Sequence, residues 1–251
     1  MSGTLFGIGV GPGDPELMTV KAVRILREAK VVAYFAKRGK LGNALATARA
    51  HIAPHAEQLA LNYPYTVEVS PRAAEYVSAM RAFYDDSAAQ ISQRLAAGHD
   101  VAVLCEGDPM FYGSYMYLHD RLAARHPSRV IPGITSFAGC AAGAGLPLVS
   151  TDRVFSIIPA TLPEEELESR LRNVDAAAII KLGRHYKKVR RVLERLGRVD
   201  GAMYFEHGTT EREVALPLRD KHDETSLYFA LIIVPGHHGG PYRQWDGGEF
   251  A

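Results

Sequence analysis

The sequence predicts an α/β protein built as two α/β domains, the first with a mainly parallel sheet. Three observations carry that expectation. Short apolar runs that stop on glycine or proline alternate with helical patterns through the first part of the chain, which is how β-α-β units read. A Gly145-Leu146-Pro147 break is followed by strands of a different spacing. The 251 residues, 47% of them hydrophobic, fit one large or two modest domains with real cores. The expected domains are residues 1–148 and 149–251.

The elements follow in order. Residues 5–10 form a first strand that ends on the turn Gly11-Pro12-Gly13-Asp14-Pro15. Thr19 caps a helix running to about residue 30, with Val20, Val23 and Leu26 on one face. Residues 31–35 are a second strand, followed by a basic loop over 37–40. Helical patterns occupy 43–52 and 71–97. A buried strand over 101–105 runs into Glu106-Gly107-Asp108-Pro109, and a helix resumes over 115–123. A strand ending at Ile131 leads through Pro132-Gly133-Ile134-Thr135-Ser136 into a helix of small residues, 137–144. In the second domain, strands are expected at 155–158, 176–182, 201–205 and 227–234. Between them lie an acidic helix start at 163–166 and a basic helix at 187–196, and the stretch 236–241 reads as irregular.

Composition excludes several classes. A formal net charge of +1 gives no overall field to draw nucleic acid or a membrane surface. No apolar run is long enough to span a bilayer and no signal-peptide pattern opens the chain, so a cytoplasmic protein is expected. Cys105 and Cys140 sit among apolar or small residues and read as core thiols. No metal is expected. His51 and His55 have helical spacing but Pro54 lies between them, and His237-His238 stand in a glycine-rich stretch without acidic or thiol neighbours.

The glycines at 7, 9, 11 and 13 do not fit a dinucleotide fingerprint. The third glycine would fall at Pro12 or Asp14, and the second strand ends on Phe35 rather than an acid. No phosphate loop and no nucleophile elbow are present. The glycine turn is either a tight connection or one that also lines a site. Glu106-Gly107-Asp108-Pro109 lies where open α/β sheets bind ligands. Gly107 would admit a ligand close to the backbone, and Asp108 carries acceptors suited to ribose hydroxyls. Taken alone, the same residues are an ordinary turn. Thr135 and Ser136 either present hydroxyls and amides at a helix start or merely allow close packing. The basic stretch 181–198 is a solvated face, or it meets an acidic small molecule through Arg184, His185 and Lys188.

The order of these segments resembles the tetrapyrrole (corrin/porphyrin) methylase family. Gly-x-Gly-Pro-Gly-Asp-Pro-Glu-Leu-Met-Thr comes first, then Glu-Gly-Asp-Pro, Pro-Gly-Ile-Thr-Ser and a late Ala-Leu-Ile-Ile-Val strand, so the resemblance spans about residues 4–235. It implies a homodimer with S-adenosylmethionine bound in a cleft between the two domains. It places Pro12, Glu106, Gly107, Asp108, Phe111, Thr135, Ser136, Leu182, Gly208, Thr209 and Ala230 around that cofactor, with Asp108 toward the ribose and Ala230 toward adenine. The implied acceptor is a tetrapyrrole rich in carboxylates. Lys37, Arg38, Lys40, Arg184 and Lys188 are its expected counter-charges, and Tyr112 and His185 are expected to help a proton leave. The uroporphyrinogen methylases of the family end the second strand with an aspartate base; Phe35 stands there in this chain. Three rivals compete with this reading: a methylase of RNA or elongation factor, a non-catalytic tetrapyrrole carrier and a nicotinamide oxidoreductase.

Overall fold

The computed structural model describes residues 2–65 and 73–236. The expected irregular stretch beyond Gly236, with His237 and His238, and the helix start at Pro71 lie outside them. The chain divides into two compact units, Met1–Ser136 and Phe137–Ala251.

The first unit carries β1 (Leu5–Gly9), α1 (Val20–Glu28), β2 (Val31–Lys37), α2 (Asn43–Ala48), β3 (Glu57–Tyr63), α3 (Ala74–Ala96), β4 (Val101–Cys105), α4 (Tyr115–Leu122) and β5 (Ser128–Ile131). Its five strands are ordered β3-β2-β4-β1-β5, and every pairing is parallel. A parallel sheet needs cover on both faces, and β4 shows it, because all five of its residues are buried. Val101, Val103 and Cys105 pack with α3 and α4, while Ala102 and Leu104 pack with α1 and α2. Handedness explains the arrangement. From β1 the chain moves to one side through β2 and β3, and from β3 it returns through β4 to β5 on the other side. Right-handed crossovers in opposite directions place their helices on opposite faces. The direction therefore switches between β1 and β4, and a crevice opens at their carboxyl ends.

Local signals hold where packing agrees with them. The Thr19 hydroxyl caps α1 by accepting the N–H of Ala22 at 3.2 Å. Ala22 and Leu26 are the buried residues of that helix, whereas Val20, expected on the same face, is 87% exposed. The helix expected over 43–52 is α2 followed by a 3-10 turn, Arg49–His51.

The second unit carries β6 (Phe155–Pro159), α6 (Glu164–Arg172), β7 (Ala176–Ile180), α7 (Tyr186–Arg195), β8 (Met203–Glu206), β9 (Val214–Pro217) and β10 (Ala230–Val234). Its sheet runs β6-β7-β10-β8-β9. β6 and β7 are parallel, and the remaining pairs are antiparallel. α6 and α7 cover one face through Leu167, Leu171, Val189, Val192 and Leu193. The other face meets α5 (Ser136–Gly143), whose Cys140 and Ala141 pack with Phe205, Leu231 and Ile233. That contact is why the division falls between Ser136 and Phe137 rather than at the Gly-Leu-Pro break near residue 148. Both cysteines are buried and free.

Candidate active site

Three loops of the first unit cross at the carboxyl ends of β1, β4 and β5. Gly11 and Gly107 form an antiparallel bridge: the Gly107 N–H donates to the Gly11 carbonyl at 2.8 Å, and the Gly11 N–H returns to the Gly107 carbonyl at 3.3 Å. Gly133 from the β5 loop wedges against Gly107 and Gly9. A Cβ on Gly133 would lie 2.1 Å from the Gly107 carbonyl oxygen, and one on Gly9 would lie 2.5 Å from the Gly133 nitrogen. Only glycine permits so close an approach of three backbones. Gly107 itself has φ +62°, and a Cβ there would come no nearer than 3.8 Å to Ile134 and Thr135, so its outer side is open.

Asp108 locks the crossing. One carboxylate oxygen accepts the Met110 N–H at 2.8 Å, and the other accepts the Gly133 N–H at 3.0 Å. A carboxylate offers about four acceptor positions, so two remain for a ligand. Phe111 and Tyr112 follow, their rings edge to face at 4.9 Å, and Tyr112 has φ +52°. A bulky residue in that region marks a constrained turn. The structure thus gathers Pro12, Gly107, Asp108, Phe111 and Thr135 in one loop cluster. Ser136 opens α5 directly after it.

Glu106 points elsewhere. Its carboxyl bonds to Asn43, the first residue of α2. Burial pushes its pKa up to about 7 and the Asn43 bond opposes the shift. The residue as a whole is exposed to water. Asn43 lies three residues beyond Lys40. Lys37, Arg38 and Lys40 are all exposed and sit at the carboxyl end of β2, on the same edge of the sheet.

Phe35 near the end of β2 stacks on Tyr63 at 5.5 Å and meets Phe83 and Tyr84. The hydroxyls of Tyr63 and Tyr84 share the Ser114 hydroxyl at 2.5 and 3.2 Å. Burial pushes Tyr84 and Cys105 each up to about 12 and Tyr63 higher still, so all three stay neutral near pH 7. Asn43 and the aromatic partners of Phe35 were not singled out in the sequence. No spacing rule joins Asn43 to Glu106 or Tyr63 to Ser114, which are far apart in the chain.

In the second unit the expected residues gather at one end of the sheet. Leu182 follows β7 and is fully buried in the same cluster as Ala230. Ala230 pairs with Glu206, and the His207 N–H donates to the Phe229 carbonyl at 3.0 Å, which brings the turn holding Gly208 and Thr209 alongside. Lys181, His207 and Thr209 have φ of +61°, +47° and +64°, three non-glycine residues in the left-handed region within this group. The Thr209 N–H donates to the Glu213 carboxylate. His185 ends the 3-10 turn Gly183–His185, and burial, with Lys188 and Arg184 beside it, lowers its pKa and keeps the imidazole neutral at pH 7.

The basic stretch divides in two. Arg191 and Arg195 pair with Glu164, Arg195 also pairs with Glu168, and the Lys188 ammonium donates to the Leu162 carbonyl. This part ties α7 to α6. Arg184 stands before the helix and is exposed. Among the described residues, no three His, Cys, Asp or Glu side chains gather as a metal-holding group, and no helix is long and apolar enough to cross a membrane.

A model of the tetrapyrrole (corrin/porphyrin) methylases matches residues 4–220. A precorrin-2 C(20)-methyltransferase of Sinorhizobium sp is 49% identical over 239 residues, covering 95% of this chain and 98% of that one. A cobalt-precorrin-2 C(20)-methyltransferase of Salmonella typhimurium is 26% identical, covering 99% of this chain and all of that one. Among solved structures, a uroporphyrin-III C-methyl transferase from Thermus thermophilus complexed with S-adenyl homocysteine superposes with a TM-score of 0.62. It is 25% identical and covers 93% of this chain and 92% of that one. With the glycine crossing and both sheets in place, the match over most of its length makes this chain a member of the tetrapyrrole (corrin/porphyrin) methylases.

Proposed function

We propose that the protein transfers a methyl group from S-adenosylmethionine to C20 of precorrin-2 in cobalamin biosynthesis. The observation that carries this reading is the 49% identity, over nearly the whole of both chains, to a precorrin-2 C(20)-methyltransferase. The same reading takes the protein as a cytoplasmic homodimer.

The loop crossing suits the cofactor. Its glycines leave backbone exposed where side chains would fill the space, and Asp108 keeps acceptor capacity for ribose hydroxyls. Pro12, Gly107, Phe111, Thr135 and Ser136 would hold it from the first unit. Leu182, Gly208, Thr209 and Ala230 are the further cofactor residues that the resemblance implies. Bound S-adenosylmethionine supplies an electrophilic methyl on a sulfonium. The residues above act by fixing that methyl against the acceptor carbon. Such positioning is worth up to ~7–11 kcal/mol of barrier in favourable cases. Lys37, Arg38, Lys40 and Arg184 orient the macrocycle through its carboxylates. Lys188 is held by a carbonyl of its own unit, so its contribution is charge rather than a direct bond. Tyr112 and His185 remain candidates for steering the departing proton.

The test incubates the protein with isotope-labelled S-adenosylmethionine and each early corrinoid precursor and locates the added carbon by NMR. Label at C20 of precorrin-2 is the expected result. Label at another ring position, or only on the cobalt-bearing relative, would overturn it. Light scattering at twice the chain mass would support the dimer.

A further inference from the structure

Glu106 and Asp108 are two residues apart and serve different neighbours. Asp108 binds the backbone of the β4 and β5 loops, and Gly107 bridges to the β1 loop. Glu106 instead reaches α2 through Asn43, three residues beyond the basic loop. Side chains of β4 alternate between faces, and Glu106 continues the Ala102 and Leu104 series toward α1 and α2. Its carboxyl thus meets the start of α2, the helix that follows the loop assigned to the macrocycle's carboxylates, and not the loops assigned to the cofactor.

We propose that Glu106 takes the proton from the methylated acceptor carbon, with Asn43 as the positioning residue that holds its carboxylate. The inference rests on the C20-methylation reading, moves Glu106 out of the cofactor set and makes it, rather than Tyr112 or His185, the first acceptor of the proton. The electrons balance as follows. Methylation uses a π pair of the ring to make the new carbon–carbon bond, and the carbon–sulfur pair stays on sulfur. The ring is left with one positive charge and a C20 that carries both methyl and hydrogen. The C20–H bond then breaks, its pair restores the conjugated system, and the proton moves to a Glu106 oxygen. Water that reaches the side chain carries the proton away.

The surroundings leave this role to Glu106. The groups that sense its charge are the Tyr63 hydroxyl of β3 and the Cys105 thiol of β4, and burial keeps both neutral. From α2 the facing group is the uncharged Asn43 amide. Asp108, in the same loop, is held by two backbone N–H groups. A carboxyl that ionises near the working pH is matched to taking a proton and returning it to water.

The experiment measures kcat/KM against pH with precorrin-2 carrying hydrogen or deuterium at C20, for wild type, E106Q, N43A and H185Q. The wild type is expected to show an acidic limb near pH 7. E106Q is expected to lose that limb, fall by about 100-fold or more in kcat and show a larger isotope effect. N43A shifts the limb to higher pH, because a bond favouring the carboxylate is gone. H185Q keeps the limb. Calorimetry should find S-adenosylhomocysteine affinity unchanged within about twofold in E106Q and N43A, which also shows that both are folded. In the unloaded protein, a carboxyl carbon resonance should titrate near pH 7 and be missing from E106Q. An unaltered limb and rate in E106Q, loss of the limb in H185Q, or titration at ordinary carboxylate pH would each overturn Glu106 as the acceptor. Failure of the wild type to methylate precorrin-2 would instead overturn the C20 reading, and this step with it.

Discussion

Both oxygens of Asp108 accept backbone N–H groups within the protein, so the residue is part of the scaffold as well as a ligand candidate. Its removal has two consequences. Asp108→Ala should lower unfolding stability by about 1–3 kcal/mol, since the Met110 and Gly133 amides lose a charged acceptor. It should also weaken S-adenosylhomocysteine binding. Urea unfolding and calorimetry on the same variant separate the two, and unchanged stability would remove the scaffold role. Glu106 makes an opposite contribution. Its pKa is raised in the folded protein from the usual 4.5 to about 7, so the folded state holds the proton more tightly than the unfolded chain does. Whatever it contributes to stability is therefore complete below about pH 4.5 and lost as pH rises through 7. Glu106→Gln should melt at a higher temperature than wild type at pH 8, and the difference should shrink as pH falls toward 5. Thermal melts across that range provide the check; a constant difference would mean the carboxyl is not desolvated. The turn that carries Asp108 was legible in the Gly-Asp-Pro motif. The bond of Asp108 to Gly133, 25 residues on, was not, because nothing local in either segment calls for the other.

At the scale of elements, the central strands, their helices and the edge strands β5 and β6 were readable, and the other two edges were not. β4 is a continuous apolar run, buried throughout, and its pattern is unambiguous. β3 and β9 were missed, and both are edge strands. β3 buries only Leu59 and Leu61 among polar neighbours, and β9 is four residues long with no buried residue. Short, weakly apolar edges are how sheets avoid pairing with other chains, and the same property hides them in sequence. The basic run 181–198 read equally well as a solvated face or an anion site. The structure commits Arg191 and Arg195 of its helical part to ion pairs with α6, which at exposed positions contribute little to stability. The β5 loop is the most constrained connection. Gly133→Ala would drive a methyl into the Gly107 carbonyl, so the loop must move. A loss of about 1–3 kcal/mol in thermal unfolding, with a parallel loss of S-adenosylhomocysteine binding, is the expected outcome. Full binding in that variant would mean that the crossing is not where the cofactor rests.

For the molecule as a whole, each unit brings its candidate residues to one end of its sheet. In the first unit the basic loop and the glycine crossing share the carboxyl edge without sharing residues. Substrate and cofactor effects should then separate. Lys37→Ala with Arg38→Ala is expected to raise the apparent KM for precorrin-2 several-fold and leave S-adenosylhomocysteine affinity within about twofold. Initial-rate kinetics and calorimetry read the two; the reverse pattern would exchange the assigned sides.

The sequence by itself determined the α/β class, the parallel character of the first sheet and the places of its glycine-rich turns. These follow from hydrophobic period, glycine and proline placement and the order of motifs, all of which are local. Tertiary structure decided what the local code does not contain. It set the strand order that puts the switch point between β1 and β4, and it joined α5 to the second unit through Cys140 and Ala141. It also gave two acids of one turn different partners, Asn43 for Glu106 and Gly133 for Asp108. Those outcomes depend on which distant surfaces bury each other, and a pattern read along one segment carries no record of the partner.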